Sequence, residues 1–177
     1  MFTNQIHRSI KRPKTSALPT VDNYEGVVLS LGSNIGDREE NLRNALVELE
    51  LVGEINLISS LYESDPLLVT EQRSFYNIVI EITYTKSVTH LLKDVKGIEE
   101  KIGRTKTYRY GPRVIDIDII FFKAEVHSSE NLIIPHYDWS NRLFVIEPLR
   151  EIITTFDTSN LNINDQKLEK IGNIIYK

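Results

Sequence analysis

Apolar positions along the chain change period several times, and each change marks an element. Residues 26–31, GVVLSL, form a short apolar run that reads as a buried strand ending at Gly32-Ser33-Asn34. Leu42, Ala45, Leu46 and Leu49 then recur at helical spacing. Asp37 is the expected N-cap of that helix, with Glu40 placed as in a capping box, and Gly53 is the expected stop. INLISSLYE (55–63) and FYNIVIEITY (75–84) read as strands. In the second, Ile78, Ile80 and Ile82 alternate with Asn77, Val79 and Glu81, which predicts a half-buried strand. The intervening SDPLLVTEQRS is long for a hairpin, and long ordered loops tend to carry function. Ser87 caps a second helix with Leu91, Val95, Ile98 and Ile102 on one stripe, closed by Gly103. A basic loop, GRTKTYRYGPR, leads into the strand VIDIDIIFF. The rest is less regular, and Leu168, Ile171 and Ile175 suggest a short terminal helix.

The order of these elements is βαββαβ. It predicts an α+β, ferredoxin-like fold: one antiparallel sheet with the helices packed on one face, plus C-terminal additions. The chain has 177 residues, enough for a single domain with a full core, expected over residues 26–177. Residues 1–21 differ in character, with Arg8, Lys11, Arg12 and Lys14, two prolines and no acid. That composition suits a flexible extension over residues 1–25 or an organellar transit peptide. No apolar run reaches the ~18–20 residues that span a bilayer, so no membrane role is expected. The absence of cysteine excludes disulfides and thiolate chemistry and fits a reducing, cytoplasmic setting. A net charge of -4 argues against a nucleic-acid partner, so any anion site must be a local basic cluster.

Such a cluster lies beside two acids. Asp116 and Asp118 point the same way on their strand, about 7 Å apart, while Ile115, Ile117, Ile119 and Phe121 form the opposite, core-facing row. Two unpaired carboxylates at that range raise each other's pKa, so positive charge should sit near them. Mg²⁺ bridging to phosphate oxygens would meet that need. Arg104, Lys106, Arg109 and Arg113 immediately upstream would hold the phosphates, because the guanidinium fork binds their oxygens in pairs. The same arginines could simply pair with the aspartates, and the residues alone leave both readings open.

Four stretches carry a resemblance: LGSNIGDREENL (31–42), YESDP with Q-x-x-F-x-N (62–77), GRTKTYRYGPRVIDIDII (103–120) and IPHYDWSNRLFVIEPL (134–149). Together they span about residues 26–150, and the chain resembles the 6-hydroxymethyl-7,8-dihydropterin pyrophosphokinase family of folate biosynthesis. The resemblance implies transfer of pyrophosphate from ATP to the pterin hydroxymethyl group, giving AMP and the pterin diphosphate. It implies a pair of Mg²⁺ ions on Asp116 and Asp118, with Arg104 and Arg113 acting beside them on the phosphates. Glu99, Lys106, Arg109, Tyr110, Ile119, His136, Tyr137 and Arg142 match positions around the nucleotide. Phe75 and Phe144 match the aromatics that stack on the pterin, and Asn77 the amide that reads its edge. Gly32, Ser64, Pro66 and Leu67 match the frame around that ring. Other folate-pathway enzymes are a further partner class, since some members are fused to them.

Four positions depart from the family pattern: Asp65 for a proline of some members, Leu68 for a glycine, Lys106 for an arginine and Tyr110 for a tryptophan. They keep a second reading in view, a homologue that binds nucleotide or pterin without transferring pyrophosphate. A third, an RNA-binding module of the same fold, predicts exposed sheet aromatics and a basic sheet face where this chain presents two acids.

Overall fold

The computed structural model describes residues 24–67, 69, 71–105, 111–154, 161, 163 and 165–177. Lys106, Arg109, Tyr110, Leu68 and the basic N-terminal stretch lie outside the described residues. The elements run β1 (Val27–Ser33), α1 (Arg38–Glu50), β2 (Glu54–Ile58), β3 (Leu61–Ser64), β4 (Phe75–Thr83), α2 (Val88–Ile102) and β5 (Asp116–Phe122). A small hairpin, β6 (His127–Ser128) and β7 (Ile133–Ile134), is followed by a 3-10 turn at Trp139–Asn141, α3 (Leu143–Ile152) and β8 (Leu168–Gly172). The main sheet has the order β5-β1-β4-β3-β8, with β2 also paired to β4, and its pairings are antiparallel. This is the expected ferredoxin-like order with one strand added at an edge. No helix among the described residues is long and apolar enough to cross a membrane.

The two predicted helices form for the predicted reasons. The Asp37 side chain accepts from the Glu40 N–H and starts α1, and Ser87 does the same for α2 through the His90 N–H. Gly103 ends α2 at φ +106°, a left-handed conformation that costs a glycine nothing. Leu42, Leu46 and Leu49 of α1 and Leu91, Val95 and Ile98 of α2 pack on Leu29, Leu31, Ile78, Ile80 and Ile117. Each fully buried leucine of this layer, Leu46 among them, contributes about 1.5–3 kcal/mol relative to an exposed one.

Four expectations change. The strand predicted over residues 55–63 is two strands, broken at Ser59-Ser60. There the Ser59 N–H still donates to the Val79 carbonyl at 2.9 Å, but Ser59 Oγ takes the Val79 N–H at 2.9 Å and the Ser60 N–H donates to Glu151 at 2.6 Å, so side chains take over part of the ladder. β4 is buried on both faces because α3 covers the one predicted to be wet: Val79 packs with Val28, Ile120, Val145, Ile146 and Leu149. Phe121 leaves the core row of Ile115, Ile117 and Ile119 for the α3 side. The register of β5 on β1 slips there, from Leu29 opposite Ile119 to Val28 opposite Phe121, so Ile120 is the extra residue of a bulge. Finally, the predicted terminal helix is the strand β8, paired antiparallel to β3.

α3 is tied to β3 and β8 through Glu151, which accepts from the Ser60 N–H, the Tyr62 hydroxyl at 2.7 Å and Lys170 at 2.8 Å. Burial pushes this carboxyl up, but the three donors outweigh it and hold the pKa at about 2, against an ordinary 4.5. A folded pKa below the unfolded one gives stability that is complete above pH 4.5 and lost as the pH falls towards 2. Thermal melts of wild type and Glu151→Gln should therefore differ most above pH 4.5 and converge towards pH 2. A constant gap over that range would disprove the assignment.

Candidate active site

In an antiparallel sheet, residues in register share a face. Gly32 stands between Asn77 of β4 and Asp116 of β5, and Ser30 between Val79 and Asp118. α3 seats on the apolar half of this face, Val28, Val79 and Ile120. The other half, Ser30, Gly32, Phe75, Asn77, Asp116 and Asp118, floors an open cleft. Its walls are Ser64, Pro66 and Leu67 on one side, Gly111 and Arg113 on another, and Asp138, Arg142 and Phe144 on a third. Gly32 keeps the middle of the floor low. A Cβ there would lie 3.1 Å from Asn77 Oδ1 and 3.7 Å from the Phe75 ring.

One end of the cleft suits a flat heterocycle. Asn77 is 3% exposed and its Nδ2 donates to Ser64 Oγ at 3.0 Å, which fixes the amide plane beside Phe75. Phe144 faces the same cleft from the first turn of α3. An amide offers a donor and an acceptor on one edge, and two aromatic rings offer stacking surface.

The other end is ionic. Asp116 receives Arg104 at 2.8 Å and, more closely, Arg113; Asp118 receives Arg142 at 3.1 Å. Arg142 is also held through Nε by Asp138 at 3.1 Å. His136 lies 3.9 Å from Asp118. Burial outweighs the attraction of that carboxylate and lowers the imidazole pKa below 6.5, so the ring is neutral at pH 7. Its Nδ1 accepts from the Asp138 N–H at 3.2 Å, which leaves the proton on Nε2, the nitrogen nearer Asp118.

Two buried groups hold these walls. Asn34, 3% exposed, exchanges backbone and side-chain bonds with Arg113: its N–H donates to the Arg113 carbonyl at 3.0 Å and its Oδ1 accepts the Arg113 N–H at 2.7 Å. Its Nδ2 donates at 3.1 Å to both Gln72 Oε1 and the Arg73 carbonyl, so it joins the phosphate-side loop to the loop before β4. Arg38 pins the far end of that second loop, donating to Glu63 at 2.6 Å and the Ser74 carbonyl at 2.9 Å, with its guanidinium 3.6 Å over the Tyr76 ring.

Gly32, Ser64, Pro66, Leu67, Phe75, Asn77, Arg113, Asp116, Asp118, Arg142 and Phe144 thus meet around one cleft. Three other expected residues stand elsewhere. Ile119 is 4% exposed in the core beneath the sheet. Glu99, 1% exposed, sits under β5, accepting the Ile117 N–H at 2.7 Å and pairing with Lys96 and Arg104, so it orients Arg104 from behind. Tyr137 is largely exposed and stacks on His136 at 4.8 Å. Ser30, Gln72, Gly111 and Asp138 line the cleft without having been singled out. Of these, Ser30 was readable, since it lies two residues before Gly32 on the same face.

Comparison with known proteins agrees with this geometry. The family model described as 7,8-dihydro-6-hydroxymethylpterin-pyrophosphokinase (HPPK) matches residues 28–154. The chain is 42% identical over 126 residues to the 2-amino-4-hydroxy-6-hydroxymethyldihydropteridine pyrophosphokinase of Bacillus subtilis, covering 70% of this chain and 75% of that protein. It is 39% identical over 143 residues to the folic acid synthesis protein FOL1 of Dictyostelium discoideum, but the match spans only 22% of that longer protein and 81% of this chain. Its fold matches a crystal structure of Plasmodium falciparum HPPK-DHPS with pterin and p-hydroxybenzoate at a TM-score of 0.59 and 18% identity, over 82% of this chain and 42% of that one. The sheet floor, the cleft and the sequence match converge, and the chain belongs to the HPPK family.

Proposed function

We propose that the protein transfers the pyrophosphoryl group of ATP to the hydroxymethyl oxygen of 6-hydroxymethyl-7,8-dihydropterin, a step of folate biosynthesis. The observation that carries this reading is the row Asn77–Gly32–Asp116, which sets a ring-reading amide and a phosphate-side carboxylate on either side of a glycine. The pterin would lie between Phe75 and Phe144 with its pyrimidine edge on Asn77. Its hydroxymethyl group would then extend over Gly32 towards the aspartates. The hydroxymethyl oxygen bonds to the β-phosphorus and gives up its proton to solvent, while the bond from that phosphorus to the α,β-bridging oxygen breaks and AMP leaves with that oxygen and its electron pair.

The donor set fits magnesium. No group of three or more His, Cys, Asp or Glu side chains able to cage a metal occurs among the described residues. Asp116 and Asp118 offer the one or two carboxylates that Mg²⁺ takes when phosphate oxygens and water complete its shell. These two residues would hold a pair of Mg²⁺ ions, which when bound neutralise charge on the phosphate oxygens. Arg113 and Arg142 now pair with the aspartates and are in reach of the same cleft, so their guanidiniums can move onto phosphate. The neutral His136 Nε2–H adds a donor on the Asp118 side.

The test is AMP production from ATP, Mg²⁺ and the pterin by purified protein. AMP that forms only when pterin is present supports the reading. Nucleotide binding without AMP favours the non-transferring homologue, for which Asp65 in the cleft wall is the first departure to revert. Phe75→Ala should weaken pterin binding by roughly ten- to hundredfold, the scale of a lost stacking face, while leaving the KM for ATP within about twofold of wild type. Fluorescence titration with pterin reads this directly, and unchanged pterin affinity would remove Phe75 from the ring site.

A further inference from the structure

We propose that Gln166, beyond the family-matched residues 28–154, is a positioning residue for Arg142, so that the C-terminal segment is a working part of the nucleotide site; this rests on the functional reading above. The Gln166 amide brackets Arg142. Its Nε2 donates to the Asn141 carbonyl at 2.7 Å, and its Oε1 accepts from the Leu143 N–H at 2.9 Å.

Helix chemistry explains why the bracket is needed. The first N–H groups of a helix lack intrahelical partners and are normally met by the N-cap side chain. α3 starts without that device: its N-cap is Arg142, extended at φ -116° and ψ 104°, and makes no side-chain cap bond. Its guanidinium is engaged with Asp118 and Asp138 instead. Gln166 supplies an acceptor from outside the helix for the first of these amides, the Leu143 N–H, and, with its second bond, fixes the peptide on the other side of Arg142. The side chain that reaches Asp118 therefore leaves a backbone held at both flanks.

The clamp has its own anchor. Two residues on, Leu168 opens β8 opposite Ser64 of β3, and Ser64 itself lines the cleft and receives the Asn77 amide. Main-chain pairing at β8 thus fixes Gln166 relative to the sheet floor, and Gln166 fixes Arg142 relative to Asp118.

A double-mutant cycle tests this by equilibrium binding of a non-hydrolysable ATP analogue with Mg²⁺, using the full chain and variants Gln166→Met, Arg142→Ala and both together. Methionine keeps the length and removes the amide. Gln166→Met should weaken nucleotide binding roughly tenfold, the scale of a lost cap interaction, yet less than about twofold when Arg142 is already alanine. Gln166→Glu, which retains the acceptor for the Leu143 N–H, should recover part of the loss. Equal effects of Gln166→Met in both backgrounds would overturn the proposal and reduce Gln166 to a fold contact, and so would unaltered binding in the single variant. If Gln166→Met fails to fold, the same cycle run with Gln166→Glu decides by the same criterion. Binding with coupling but no AMP from wild type would fail the transfer reading alone, whereas AMP from wild type with an additive cycle would fail Gln166 alone.

Discussion

Asp118→Ala should lower pterin-dependent AMP formation by roughly 10²–10³-fold, the cost of removing one group that stabilises developing charge. The effect is expected to be this large because Asp118 serves one purpose. It opens into the cleft, and its described partners Arg142 and His136 are themselves site groups. Asp116→Ala should lose at least as much, and should also shift the thermal midpoint, since Arg104 and Arg113 both rely on that carboxylate. Asp118→Asn separates charge from shape: it keeps the side-chain volume and removes the anion. If Asp118→Asn retains wild-type turnover with a normal melting curve, the charge of Asp118 is not part of the chemistry, and Asp116 alone is left as the carboxylate of the metal site.

Arg113→Ala is the second large effect, about 10³-fold in kcat, on the scale of a guanidinium that stabilises charge on a transferring phosphoryl group. The prediction is clean because the main chain of Arg113 is secured independently, by two bonds to Asn34 that do not involve its side chain. Truncation therefore removes the guanidinium without releasing the loop. Arg113→Lys should recover only part of the rate, because an ammonium is a point charge and cannot reproduce the paired contact. Single-turnover measurement of AMP separates this from slow product release. A rate for Arg113→Ala within threefold of wild type would assign the guanidinium to neutralising Asp116 and nothing more.

Where function and fold depend on local chemistry, the sequence is a good guide. Asp37, Ser87 and Gly103 bound their helices as their side chains dictate. Asp116 and Asp118 face one way because a strand alternates, and that requires no knowledge of neighbours. What stayed hidden depends on partners distant in the chain. Leu168, Ile171 and Ile175 have helical spacing, but β3 has a free edge and recruits the segment as a strand. The Ser59-Ser60 break needs Glu151, and the displacement of Phe121 needs a bulge against β1. In the site, Asn34 gains its role from Gln72 and Arg113, residues that become its neighbours only after folding. The family resemblance places Glu99 beside the nucleotide, and the packing of α2 under β5 shows it reaching the Ile117 amide.

That last bond has a consequence for how the protein behaves in concentrated solution. β5 is the outermost strand on its side of the sheet, and an open strand edge templates pairing with other chains. Here two of the outward main-chain groups are already taken. The Ile117 N–H is taken by Glu99, and the Ile120 carbonyl accepts the His136 N–H at 2.9 Å. The same buried carboxylate that pairs with Arg104 thus occupies a main-chain donor of that edge, so Glu99→Ala should make the protein more prone to self-association, which light scattering against protein concentration would read.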